Sequence, residues 1–423
     1  MLQIGRQRTE KRRVFSAYLL HRPKRLLFLV GVVCLALGWN QTTAVSMASR
    51  TAFLFRHLSL LPTSSSAALP PHLPWGALPT ITPFSSSSSK STQISPRTPN
   101  MPVPTENCFF ILDATSFLYR SYYSKYQLND YEETDRPLLL LGKEFAQIMT
   151  QHNPAYVAAA FDGPRDQVFR RDLFPAYKRN REAQPPELLA LVPRAMAYLE
   201  ALGCRGVFRS TRHEGDDLMG SLSHMAKAVA PDVTVVLVTE DKDMFCLVDD
   251  RTLVMHPRTL EVFDAARVEA KLGVPPSLVG DLLSLAGDPV DGIPGVKGVG
   301  PQTAVRLLRA FGSLDNLYAN LEDVAALPNL RGAKTLAAKL TQQKEDVRVY
   351  RSVVALACDV ALQLPRAPDP RWPGTSPLEG LRYGGVDEIE GESLLLEAMG
   401  APGIGRGPFL QLLRHQRQRS VPF

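Results

Sequence analysis

Acidic residues are almost missing from the first quarter of this 423-residue chain. Residues 1–100 hold 12 Lys/Arg against one acid, Glu10, and the next acid is Glu106. That segment carries +11, whereas the remaining 36 Lys/Arg face 41 Asp/Glu, a balance of −5. The net charge of +6 and the pI near 9.0 therefore belong to the leader, and nucleic-acid binding has to be argued from local patches. Cysteine is scarce too. Cys34, Cys108, Cys204, Cys246 and Cys358 lie far apart with no C-x-x-C pair, which speaks against a disulfide framework and a zinc site. The apolar run Leu26–Trp39, about 14 residues, is short for a membrane span and has the length of a signal-peptide core.

Arg22, Lys24 and Arg25 precede that run, and Ser46-x-Ala48 offers a small-residue cleavage site. The stretch beyond that site is rich in Ser, Pro and Arg, including Ser85–Ser89, as in an organellar transit peptide. A signal-like segment followed by a transit-like one, with Phe53 and Phe55 near the join, resembles the bipartite leaders of algae with complex plastids. The expectation is a disordered, cleaved leader over 1–104 and a plastid destination. A mitochondrial presequence, a membrane anchor and an uncleaved tail are the alternatives.

With 45% apolar and 21% charged residues, the chain can bury one or two ordinary domains. Three compact apolar runs read as strands that end at acids: Phe109–Leu112 before Asp113, Tyr156–Phe161 before Asp162, and Val233–Val238 before Asp241 and Asp243. Glu214, Asp216 and Asp217 open a segment with helical spacing, where acids also complement the positive end of the helix dipole. Val279–Ala286 enters a Gly/Pro/Asp turn that carries Asp288 and Asp291. In parallel sheets ligands sit outside the carboxyl ends of the strands, so these nine carboxylates are candidates for one shared edge. Two carboxylates about 4 Å apart repel by roughly 4 kcal/mol at an effective dielectric near 20. Such a cluster requires cations, and ligands that are all oxygen select Mg²⁺ or Mn²⁺, with more than one ion for this many acids. The pattern implies metal-dependent phosphodiester chemistry on an α/β sheet.

Phe117–Tyr126, with Arg120 and Tyr122, reads as a helix that either stacks on bases or packs in the core. Phe169–Arg181 interleaves Arg170, Lys178 and Arg181 with Phe and Tyr, a pattern suited to tracking a phosphate backbone. Ile293–Ala304 places Gly295, Gly298 and Gly300 at a tight turn with φ > 0, with Lys297 inside the turn and a helix from Thr303. This is a helix-hairpin-helix, whose exposed amides hold phosphate without reading sequence; Arg306, Arg331, Lys334 and Lys339 add charge nearby.

In order along residues 107–360, the stretches ILDAT, AAFDG, FRRDLFPAYKRNR, HEGDD, VTEDKD, GVPPSLVGDLLSLAGD, GIPGVKGVG and RGAKTLAAKL closely resemble the 5′-nuclease domain of bacterial DNA polymerase I and the wider flap-endonuclease family. The resemblance implies a mostly parallel sheet flanked by helices, PIN-like, over 105–292, and a helix-hairpin-helix subdomain over 293–364. It implies two divalent ions. Asp113, Asp162, Glu214, Asp216 and Asp217 would favour one, and Asp241, Asp243, Asp288 and Asp291 the other. By the same resemblance Lys178 and Arg181 act on the scissile phosphate with Tyr177 beside them, and the Gly295–Gly300 hairpin grips duplex DNA around K⁺. Three departures stand out: the GDPVDG spacer, Gly292 where the family usually has Asn, and Pro137–Phe145 in place of a Tyr/Gly helix.

The expected protein is a stand-alone, monomeric 5′-3′ exonuclease and flap endonuclease that acts on DNA ends, flaps and junctions, and on RNA primers. It would serve an organelle, with no membrane association in the mature form. An RNA-processing nuclease and a silent DNA-junction binder are the alternatives, the second disfavoured because a binder has no need of a repulsive acid cluster. Pro365–Pro373 reads as a linker, the rest as a short helical tail ending in a frayed basic run, Arg414–Arg419.

Overall fold

The computed structural model describes residues 107–124, 135–327, 332–365, 376–399 and 405–419. The expected leader, Arg331 and residues 366–373 of the expected linker lie outside them. The three apolar runs are strands β1 (Cys108–Asp113), β2 (Tyr156–Phe161) and β4 (Thr234–Val238), joined in the sheet by β3 (Gly206–Arg209), β5 (Thr252–Met255) and β6 (Val262–Phe263). β1 and β2 are buried along their whole length, as unbroken apolar runs must be when both faces of a sheet are covered. The order is β3-β2-β1-β4-β5-β6, parallel throughout except for β6, so the α/β class and the mostly parallel sheet are as expected.

Alternation along β1 divides two cores. Phe109 and Ile111 face Leu218, Met219 and Leu222 of α4 (Gly215–Val229), whereas Phe110 and Leu112 pack with residues of α2 (Arg136–His152) and α3 (Pro186–Ala201). The chain steps from β1 outward to β2 and β3, then returns to β4 on the other side of β1. This puts the reversal of strand order, where open parallel sheets form a crevice, between Asp113 and Asp241.

Helix α1 (Ala114–Tyr122) follows β1, but it stops before the end of the aromatic stretch: Tyr123 lies beyond it, 62% exposed, and Lys125 and Tyr126 are outside the described residues. After β6 and α5 (Ala265–Leu272) come α6 (Val279–Ala286) and α7 (Pro301–Phe311), on either side of the expected Gly-rich turn. α8 (Ala333–Gln342) and α9 (Lys344–Val354) complete that region, with Arg351 Nε 3.0 Å from the buried Asp281 carboxylate on α6. The chain then runs across α4, where Ala357 and Val360 donate their N–H groups to Asp217 and Ser221. α10 (Glu388–Met399) meets α3, where Arg194 donates to the Ala398 carbonyl, and α11 (Arg406–Arg419) buries Phe409, Leu412 and Leu413 among residues of the α2–α3 core. Arg414–Arg419 is thus the last part of a packed helix, a correction to the frayed tail, because the apolar stripe ahead of it is buried. Among the described residues no helix is long and apolar enough to cross a membrane.

Candidate active site

Asp113 is the last residue of β1 and caps α1, accepting from the Ser116 N–H (3.0 Å) and hydroxyl (2.6 Å). Its other neighbour is Thr239, just past β4, whose hydroxyl donates to Asp113 (2.8 Å) and accepts from the Asp241 N–H (3.0 Å). Thr239 therefore ties the carboxyl ends of the two strands that flank the switch point, a role its place in VTEDKD did not reveal. Asp162 follows β2 and accepts from the Gly215 N–H at the start of α4 (2.7 Å). Asp241 caps the 3₁₀ turn Lys242–Leu247 that holds Asp243, accepting its N–H at 2.9 Å. Asp288 and Asp291 come from the loop after α6, where Asp288 exchanges two 2.8 Å backbone bonds with Ile293 and caps the Val290 N–H.

Like charge shapes these groups. Burial, then Asp241, Asp113 and Asp162, push the Asp216 carboxyl well above the usual range. Burial and the charges of Glu214 and Asp113 push Asp162 up to about 6, and burial with Asp241, Asp291 and Asp288 pushes Asp243 up to about 7. Asp241 is raised by burial and by Asp113 and Asp291. The Asp243 Oδ1 atom is buried with no hydrogen-bond partner.

Cations face this edge. Lys178 stands in a left-handed conformation (φ 51°), its N–H bonded to the Asp291 carbonyl (2.8 Å) and its ammonium 2.6 Å from Glu214 and 3.5 Å from Asp291. Burial opposes its charge, but Glu214 and Asp291 outweigh burial and keep it protonated. Arg181 pairs with Asp291 and donates to the Val290 carbonyl, and Asn180 donates to the Pro289 carbonyl (2.8 Å), so the basic turn is stitched to the GDPVDG loop. Gly292 has φ +73°, and a Cβ there would lie 3.0 Å from the Ala176 carbonyl oxygen. Asn and Gly are the residues that enter this region most readily, so the departure at Gly292 keeps the backbone. Lys242, which the sequence did not single out, lies 3.3 Å from Asp288.

Three expected contacts are corrected. Asp217 is fully buried and both its oxygens are engaged, by the Arg170 guanidinium and by backbone N–H groups, so it presents nothing to an ion. Arg170 is 2% exposed and held by Asp217, Glu214 and two backbone carbonyls, so it does not meet DNA. Tyr177, expected beside Lys178 and Arg181 as a DNA contact, is 5% exposed with its hydroxyl on Glu214 (2.8 Å) and Asp291 (3.2 Å); it orients acids instead. The Glu-x-x-Asp spacing of a capping box was the available signal for Asp217, whose Oδ2 accepts the Glu214 N–H. Arg120 is paired with Glu144 and Glu240, and Tyr122 packs edge-on against Tyr123.

In the hairpin, Gly295 (φ +65°) and Gly298 (φ +92°) take positive φ, but Gly300 (φ −91°) is extended, so only the first two need glycine for the turn. Gly295 is buried against the backbone of Ala286 and Gly287 and shapes the turn from inside. The exposed backbone is at Lys297, Gly298 and Gly300, although the Lys297 N–H is taken by Gln343. The Lys339 ammonium lies 3.2 Å from where a Cβ of Gly298 would stand, and Thr303 is in the first turn of α7, which begins at Pro301.

Among the described residues, no three His, Cys, Asp or Glu side chains lie close enough together to hold a metal ion as they stand.

Two family models match end to end: the 5′-3′ exonuclease N-terminal resolvase-like domain over residues 108–273, and the 5′-3′ exonuclease C-terminal SAM fold over 274–369. DNA polymerase I of Pseudomonas aeruginosa is 35% identical over 280 residues, 64% of this chain, which spans 29% of that longer protein. The 5′-3′ exonucleases of Buchnera aphidicola subsp. Schizaphis graminum and of Aquifex aeolicus are each 30% identical, over 62% and 60% of this chain and 91% and 83% of their own length. A solved structure of T5 5′-exonuclease with bound zinc matches 59% of this chain and 90% of its own at 18% identity, with a TM-score of 0.48. The chain is thus a nuclease that belongs to the 5′-3′ exonuclease family.

Proposed function

We propose that this protein is a divalent-metal-dependent 5′-3′ exonuclease and 5′-flap endonuclease that leaves 5′-phosphate and 3′-hydroxyl ends and uses two ions. The supporting observation is the convergence of Asp113, Asp162, Asp216, Asp241, Asp243, Asp288 and Asp291 with Lys178 and Arg181 at the strand-order switch. The donor set fits hard cations. It is all carboxylate, four of its members are pushed toward protonation by burial and by each other, and one buried Asp243 oxygen lacks a partner. Asp113, Asp162, Glu214 and Asp216 would hold one Mg²⁺ or Mn²⁺, and Asp241, Asp243, Asp288 and Asp291 the other. Such ions lower the pKa of bound water and stabilise charge on the leaving oxygen. Lys178 and Arg181, now paired with Glu214 and Asp291, are the donors able to swing onto a phosphate oxygen and neutralise its developing charge. Tyr177 keeps Glu214 and Asp291 aligned.

The hairpin between α6 and α7 grips duplex backbone through its exposed turn. Carbonyl oxygens at Gly298 and Gly300 are the donor type that K⁺ takes, so replacing K⁺ by Li⁺ should weaken duplex binding. With the basic leader, this activity would serve primer removal or repair in a plastid, with the mitochondrion as the alternative. The test is to incubate the protein with 5′-flap DNA, blunt duplex and an RNA-containing flap, with Mg²⁺ or chelator. Metal-dependent cleavage of the DNA flap supports the reading. Absence of cleavage on every substrate rejects it, and preference for the RNA flap moves the physiological substrate to primers.

A further inference from the structure

We infer that Asp217 is a positioning residue and not a metal ligand: with Arg170 it latches the basic turn and Glu214 to the segment that leaves the hairpin subdomain. The inference rests on the nuclease reading for what the site does, but the latch itself rests on hydrogen bonds alone.

A carboxylate has about four acceptor sites, and those of Asp217 are taken. Oδ1 accepts from Arg170 Nη2 (2.6 Å) and the Ala357 N–H (2.9 Å); Oδ2 accepts from Arg170 Nη1 (2.7 Å) and the Glu214 N–H (3.1 Å). A cation at Asp217 would have to displace a bidentate guanidinium, one of the strong charge-assisted partners of a carboxylate. Arg170 spends its other donors on the carbonyls of Val353 (2.7 Å) and Ala355 (2.9 Å) at the end of α9, and on Glu214 Oε2 (3.1 Å). Ser221, one turn along α4, holds the same segment through Ala357 and Val360.

Helix capping alone would use one of these bonds. The rest join three elements distant in sequence: the turn Arg170–Leu173 that begins the basic segment, the start of α4, and the exit from α9. Because α9 is tied to α6 by Arg351 and Asp281, the latch fixes the duplex-gripping hairpin relative to the acids. Its second branch runs from Arg170 through Glu214 to Lys178, so the same guanidinium sets where that ammonium rests.

The experiment compares the wild type with Asp217→Asn, Asp216→Asn and the double variant Arg170→Met/Asp217→Leu. The double variant removes both buried charges while keeping volume, an exchange buried pairs often tolerate, so it guards against failure of the single variant to fold. Mn²⁺ binding is measured by calorimetry, flap cleavage gives KM and kcat, and hydrogen exchange follows the amides of 355–360. Both Asp217 variants should bind as many Mn²⁺ ions as the wild type, lose amide protection over 355–360, and raise KM by about 10-fold or more with a smaller change in kcat, the size of loss typical for groups that orient ligands. Asp216→Asn should instead weaken Mn²⁺ binding and keep the protection. Loss of a bound ion in either Asp217 variant, or unchanged protection and KM, overturns the inference. A wild type that neither bound Mn²⁺ nor cleaved would sink the nuclease reading, and the exchange data would still decide the latch.

Discussion

Lys178 holds a left-handed backbone at φ 51°, a conformation that costs an L-residue roughly 1–2 kcal/mol and persists where surrounding contacts enforce it. Its N–H bond to the Asp291 carbonyl and its two carboxylate partners are those contacts. Lys178→Ala should leave the fold intact and slow single-turnover cleavage by about 10²–10³-fold, the loss found when one charge-stabilising donor is removed, and rapid-quench kinetics would measure it. Asp216 gives a second prediction. Its carboxyl sits among like charges, so Asp216→Asn should stabilise the metal-free protein by about 1 kcal/mol, a rise of roughly 2–4 °C in Tm, while impairing cleavage; scanning calorimetry in chelator is the check. The contrast between Asp216 and Asp217 also marks how far single residues were legible. Both stand in one acidic run, but adjacent residues on a helix point about 100° apart, so the two cannot face one site. The Glu-x-x-Asp spacing hints at Asp217 as a capping residue, but its partner Arg170 and the carbonyls that hold Arg170, at 353 and 355, lie far away in sequence and are not encoded locally.

At the scale of elements, the strands and the acids at their ends were readable because unbroken apolar runs need cover on both faces, and a parallel sheet then brings their ends to one edge. The loop Asp288–Gly292 was legible as a turn, but its stitching to Asn180 and Arg181 was not, since it joins segments about 110 residues apart. That stitching predicts the outcome at Gly292. Both Gly292→Asn and Gly292→Val would place a Cβ against the Ala176 carbonyl, but Asn enters left-handed space readily and should retain activity, whereas β-branched Val, strained at φ +73°, should reduce activity and Tm together. Helix α11 looks like a tail in the sequence because its polar face dominates; its docking is not legible there, since the groove that takes Phe409, Leu412 and Leu413 is built by α2 and α3, far earlier in the chain. Phe409→Ala should cost about 3–5 kcal/mol of stability with kcat per folded molecule unchanged, measured by denaturant unfolding alongside activity.

For the whole molecule, charge is segregated: residues 1–100 carry +11 and the remainder −5. An acidic body that works on DNA must concentrate its cations, and Lys178, Arg181 and Lys339 lie at the two places proposed to meet phosphate. On the proposed function, the carboxylates at the switch between β1 and β4 hold the metal ions of a 5′-nuclease. The most direct test is Asp241→Asn, assayed in parallel for cleavage of a 5′-flap duplex in Mg²⁺ and for binding of the same duplex in Ca²⁺. Cleavage should be abolished while binding stays within about 3-fold of the wild type, since the variant removes a ligand and not a DNA contact. Cleavage at the wild-type rate would contradict it.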